Sequence, residues 1–118
     1  MADLDEIGLL FDFYGLLLTR NQRRCIEMYY SDDMSLTEIA DELGVSRQGA
    51  YDTIRRGRNL LEDYESKLRL VRRFINIKKQ LGEIDAGLTE IGAAASNVDI
   101  EKQIDVLRKK VADIVGEL

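Results

Sequence analysis

The sequence predicts an all-α fold, a helix-turn-helix bundle followed by a long C-terminal helical hairpin or coiled-coil extension. Three observations carry that expectation. The 118 residues include no proline, so no position forces a helix to end. Apolar residues recur at steps of three and four almost throughout, the spacing of one helical face. Serine or threonine stands three residues before glutamate or glutamine at the expected helix starts, the reciprocal cap that opens a helix. A chain of this length can bury a modest core without disulfides or metal. The expected division is a helix-turn-helix domain over residues 1–62 and a helical extension over 63–118.

The first helix is expected from Asp3 to Leu18, with Ile7, Leu10, Phe11, Tyr14 and Leu17 or Leu18 as its apolar stripe. Asp3, Asp5 and Glu6 suit the positive end of its dipole. Phe11, Phe13 and Tyr14 are expected as core aromatics. Thr19 and Gln22 form a capping box for a second helix, TRNQRRCIEMYY, which buries Cys25, Ile26, Tyr29 and Met28 and ends near Tyr30. Its Arg20, Arg23 and Arg24 are expected to pair with acids such as Asp32 or Glu27. Ser31, Asp32 and Asp33 make a polar turn.

The stretch SLTEIADELGVSRQGAYDTIRRGR, from Ser35 to Arg58, reads as helix, tight turn and helix. Ser35 and Glu38 form another capping box, and Ile39, Ala40 and Leu43 face inward. Ala40 is small where the two helices cross. Gly44 stands where the chain must turn left-handed, which glycine alone does cheaply. Val45 is expected as the buried turn residue, and Ser46 as the cap of a helix opening at Arg47. Ala50, Ile54 and Leu61 continue the inward stripe. Ser46, Arg47, Gln48, Tyr51, Asp52, Arg55 and Arg56 face outward or flank that stripe. This is the layout of a helix-turn-helix whose second helix enters a major groove. The expected nucleic-acid-binding residues are Ser46, Arg47, Gln48, Tyr51, Arg55, Arg56 and Arg58.

The net charge of −5 argues against a polyanion ligand until its distribution is seen. Residues 47–79 hold ten basic and four acidic side chains, and the remainder holds seven and eighteen. The basic charge sits on the second helix of the motif and its continuation, and local charge decides attraction to phosphate.

The block LLLTRNQRRCIEMYYSDDMSLTEIADELGVSRQGAYDTIRRGRNLLEDYESKL resembles the YlxM family of small bacterial proteins. The matching features are the L-T-x-x-Q helix start, the M-Y-Y-x-D-D-x-S-L run, E-I-A-x-x-x-x-V-S-R-Q and A-Y-D-x-I-R-R. They cover about residues 1 to 75. The resemblance implies a wingless helix-turn-helix similar to sigma-factor region 4, which reads a promoter element. It also implies a role in the signal recognition particle pathway, proposed from gene neighbourhood, with the particle's small RNA or its GTPase as partner.

Beyond Leu61 the pattern continues through Leu61, Tyr64, Leu68, Val71 and Ile75. It then shifts to Leu70, Phe74, Ile77, Leu81, Ile84, Leu88 and Ile91, as one long helix with a stutter would. Gly82 and Gly87 are weak points in it. IGAAASNVD, residues 91–99, reads as a loop whose Ser96, Asn97 or Asp99 caps the last helix. That helix carries a heptad seam of Ile100, Ile104, Leu107, Val111, Ile114 and Leu118. The seam is expected to fold back on residues 70–91 and to leave an apolar face for a homodimer through the C-terminal helices.

Without histidine, and with Cys25 the single cysteine, the chain offers no imidazole base, no zinc site and no internal disulfide. GAAAS lacks the lysine and spacing of a phosphate loop. No catalytic residue, metal ligand or cofactor is expected. Cys25 is expected as a small core residue. The acidic start MADLDEIG lacks signal-peptide character, and no apolar run is long enough for a membrane helix, so a cytoplasmic protein is expected. Three readings remain open. One is a nucleic-acid-binding regulator in the signal recognition particle pathway. The others are a DNA-binding transcription regulator and an interaction module docking on the particle's GTPase.

Overall fold

The structure, a computed structural model, describes residues 4–118, with side chains from Glu6 onward. The expectations for Asp3 and the Asp5 side chain lie outside the described residues. Six α-helices account for the described fold, with no strand among the described residues: α1 Leu4–Tyr14, α2 Arg20–Ile26, α3 Leu36–Leu43, α4 Arg47–Leu68, α5 Leu70–Ala94 and α6 Val98–Glu117. The chain divides into two compact units, one ending at Val71 and one running from Arg72 to Leu118.

In the first unit, α1 ends sooner than its periodicity suggests, because Gly15–Leu17 tightens into a 3₁₀ turn. Ile7, Leu10, Tyr14 and Leu18 are buried, while Leu17 is exposed, so Leu18 completes the stripe. Phe13 is exposed rather than core, because the stripe passes it by. The expected box between Thr19 and Gln22 opens α2, with each backbone N–H donating to the other's side chain. Residues Glu27–Ser31 then widen into a π turn, closed by Asp32 N donating to the Glu27 carbonyl at 3.1 Å. That extra residue rotates the helix face. Tyr29, expected inside, faces out, and Tyr30 packs against the core instead.

Two apolar clusters meet at α2. Ile26 joins Ile7, Leu10, Tyr14, Leu18, Leu61 and Val71. Its neighbour Cys25 joins Ile39, Ala40, Ala50 and Ile54. Between them α4 lies close on α2: a Cβ on Gly57 would stand 2.6 Å from Ile26 Cδ1.

The expected continuous helix is broken. Arg69 turns left-handed (φ 55°, ψ 29°), a conformation costing a non-glycine residue roughly 1–2 kcal/mol. Tertiary hydrogen bonds hold it there. The buried Tyr14 hydroxyl donates to Glu65 Oε1 at 2.7 Å and accepts from Leu70 N at 3.1 Å. Glu65 Oε1 also accepts from Val71 N at 3.0 Å. Together these oxygens satisfy the orphan amides at the start of α5, as a capping residue would. The seam shift is thus a helix boundary rather than a stutter.

In the second unit α5 runs through Gly82 and Gly87 without interruption. The loop is confined to residues 95–97, and Asn97 Oδ1 caps α6 by accepting from Asp99 N at 2.8 Å. The two helices form an antiparallel hairpin. Arg108 Nε pairs with Asp85 Oδ1 at 3.0 Å, and Gly92 lies beside Ile104. Ile104 and Val111 are buried, while the alternate seam residues Ile100, Leu107 and Ile114 remain exposed.

Burial first, and then the Glu65 contact, push the Tyr14 phenol above its ordinary pKa. The unfolded chain releases that proton near pH 10 while the folded chain holds it. Stability conferred by Tyr14 is therefore complete below pH 10 and lost as pH rises through the folded value. Tyr14→Phe should lower unfolding stability by about 1–2 kcal/mol in urea at neutral pH, because it strands the Leu70 N–H. It should also remove part of the decline above pH 10.

Candidate nucleic-acid interface

The motif is held at each joint by a local bond that its sequence supplies. Ser35 Oγ accepts from Glu38 N, and the Glu38 carboxylate accepts from Ser35 N. Gly44 turns left-handed at φ 66°, and both its N–H and that of Val45 return to the Ala40 carbonyl. Ser46 Oγ then accepts from Gly49 N at 2.9 Å and opens α4.

Val45 is not the buried turn residue expected of it. The backbone bonds to Ala40 close the turn, and Ala40, Ala50 and Leu43 fill the crossing, so 49% of Val45 stays exposed. It helps line a shallow concavity with Asn21, Arg24, Cys25, Glu42, Leu43 and Thr53. Cys25 sits in the core as expected. Its burial pushes the thiol up in pKa, against the opposing charge of Arg24. Arg20, Arg23 and Arg24 form no ion pair with Asp32 or Glu27 among the described residues. Asp32 lies beyond the π turn, while Glu27 stands at helical spacing from Arg23 and Arg24 without pairing with them.

Ala50, Ile54, Gly57 and Leu61 seat α4 on the core. Seven candidate residues sit on α4 or at its cap, in four surroundings. Ser46 is committed to the helix start, and Arg47 and Tyr51 are exposed along one flank. Gln48, Arg55 and Arg56 gather around Asp52. Gln48 Nε2 donates to Asp52 Oδ1 at 3.1 Å, and Arg55 Nη2 lies 3.7 Å from the same oxygen. Arg56 Nε donates to the Asp52 carbonyl at 3.3 Å. Arg58 stands apart, half-buried, with Nη1 donating to the Tyr30 hydroxyl at 3.3 Å. The π turn thus supplies an aromatic support for one of the α4 arginines.

Two members of this surface escaped the expected set. Tyr30 had no local signal, since only the π turn brings it to α4. Asp52 had one: glutamine, aspartate and arginine at 48, 52 and 55 stand at the four- and three-residue steps that let helical side chains meet. Among the described residues there is no group of His, Cys, Asp and Glu fit to hold a metal ion. No described helix is long and apolar enough to cross a membrane.

Comparison with known proteins agrees with this geometry. Residues 3–99 match the UPF0122 family, described as "Putative helix-turn-helix protein, YlxM / p13 like". The chain belongs to this family. A UPF0122 protein of Acetivibrio thermocellus is 40% identical over 115 residues, covering 98% of each chain. One from Thermoanaerobacter sp. is 42% identical over 106 residues, covering 90% of this chain and 91% of the relative. One from Staphylococcus epidermidis is 60% identical over 69 residues, 58% of this chain and 63% of the relative. The family match ends at residue 99, so most of α6 lies beyond it.

Because Gly44 carries the left-handed turn, Gly44→Ala should destabilise the first unit by about 1–2 kcal/mol. Chemical denaturation would read this. An unchanged midpoint would mean that the turn can relax into another geometry.

Proposed function

We propose that this chain is a non-enzymatic nucleic-acid-binding protein of the cytoplasm that presents the first half of α4 to a duplex groove. It acts as a regulatory component of the signal recognition particle pathway. The observation that supports this reading is the seating of α4. One stripe, from Ala50 to Leu61, is buried, and the cationic and amide side chains Arg47, Gln48 and Arg55 stand exposed at the helix's N-terminal half. Residues there reach base edges in helix-turn-helix proteins. The pathway rests on the resemblance of residues 1 to 75 to the YlxM family, which implies the particle's small RNA or its GTPase as partner.

The hairpin favours a second reading, a dimeric DNA-binding regulator. Ile77, Ile84 and Ile91 on α5, and Ile100, Leu107 and Ile114 on α6, are exposed and recur every seven residues. Helical geometry sets both triplets to one side of the α5–α6 contact. Such a ribbon suits burial against the hairpin of a second copy. A dimer placing two recognition helices roughly 34 Å apart would read a palindromic site.

Fluorescence anisotropy against the signal recognition particle RNA and a matched random DNA duplex, at two salt concentrations, tests the first reading. Arg47→Ala and Arg55→Ala should each weaken binding and lower the salt slope by about one per lost phosphate contact. Binding unchanged in both variants would remove α4 as the interface. Equal, weak binding lost at physiological salt would favour docking on the GTPase, which a pull-down would then reveal. For the dimer, Leu107→Glu should give monomers in sedimentation velocity, and a surviving dimer would place the contact elsewhere.

A further inference from the structure

Residue 52 is where the candidate interface converges. Gln48 and Arg55 both lean on its Oδ1, so two expected nucleic-acid contacts meet a negative charge, and Arg56 bonds the same residue's backbone carbonyl. Helical geometry sets Asp52 opposite the buried stripe, at the centre of the outward face of α4. A carboxylate there repels phosphate, so it is out of place on a helix that binds backbone alone. Helix stability does not explain it either. With Arg55 and Asp52 side chains 53% and 32% exposed, their pair is of the kind that contributes little.

A base edge is a different matter. The major groove offers amino donors only at cytosine N4 and adenine N6, and a carboxylate is the acceptor suited to cytosine N4. The contacts of the carboxylate with Gln48 and Arg55 both fall on Oδ1, on one side of the group. Beside it Gly49 keeps the surface low. A Cβ there would come 3.0 Å from the capping Ser46 Oγ, so the helix start itself favours glycine and leaves room for a base edge.

Resting on the reading of α4 as a duplex reader, we propose that Asp52 is its specificity-determining residue. The Asp52 carboxylate accepts a hydrogen bond from the exocyclic amino group of a cytosine in the major groove of duplex DNA. In the free protein the same carboxylate contacts Gln48 and Arg55, and its negative charge disfavours binding to phosphate alone.

Selection from a randomised DNA duplex pool, with the full-length wild type and Asp52→Asn, tests this. The wild type should enrich a cytosine at one position. Replacing that base should weaken binding about 5- to 150-fold, the range of a single base contact. Asp52→Asn should lose the preference at that position alone. It should also bind a scrambled duplex more tightly, with a salt slope steeper by about one. Matching thermal melts of the two proteins would exclude a folding defect, since Asp52 is not buried. If the wild type selects a site and Asp52→Asn selects the same one, the Asp52 assignment falls and the duplex reading stands. If the wild type selects a site without a cytosine dependent on residue 52, the assignment also falls. If the wild type binds no duplex, both fall.

Discussion

Gly57 has no side chain, and Ile26 fills the space that a methyl group would take. That close approach of α2 and α4 governs the rest of the first unit. Ile26 anchors the cluster built on α1, and the adjacent Cys25 anchors the cluster built on α3. A wider spacing would open both clusters at once, because the two neighbouring side chains point to opposite sides of the same helix–helix contact. The orientation of α4, and so of every side chain on its outward face, follows from this contact. The capped turn at Gly44 and Ser46 fixes only where α4 begins.

The outward face then inherits a charge problem. The chain is acidic overall, and its positive charge is gathered in the stretch from Arg47 to Lys79. Within α4 that charge is restrained, since Arg55 and Arg56 contact Asp52 and Arg58 contacts Tyr30. Arginines held in this way lose less side-chain freedom when they meet a partner than arginines waving in solvent. An acidic background of this kind also limits indiscriminate attraction to polyanions.

The features legible in the sequence were those written in local spacing. The two capping boxes, the left-handed Gly44, the Ser46 cap and the inward stripe of α4 each depend on residues within a turn of one another. The family resemblance carried the same block and identified the helix-turn-helix. The misread features are set by distant partners. Tyr29 and Tyr30 exchanged places because one extra residue in a π turn rotates the face, and nothing in EMYYS marks that insertion. Val45 lies exposed because the crossing is already filled by Ala40, Leu43 and Ala50. The end of α4 was invisible because no glycine, proline or capping residue marks it. Asp52 was placed on the outer face, but its convergence with Gln48 and Arg55 depends on side-chain geometry that spacing only permits.

The break at Arg69 has a thermodynamic corollary. Within residues 47 to 94 only Glu65, which accepts from Val71 N, marks the point where the backbone stops being helical. The rest of the instruction comes from Tyr14, which bonds Glu65 and lies 56 residues upstream of Leu70. A boundary imposed from such a distance exists only while α1 is docked. Docking of α1 and division of the long helix are therefore linked equilibria, each stabilising the other by the same free energy. In the unfolded ensemble, or in a chain lacking α1, residues 47 to 94 have no reason to form two segments rather than a single rod. The helix boundary at residue 69 is in large part a product of tertiary structure, and helix continuity there serves as an internal report on whether the amino-terminal helix is in place.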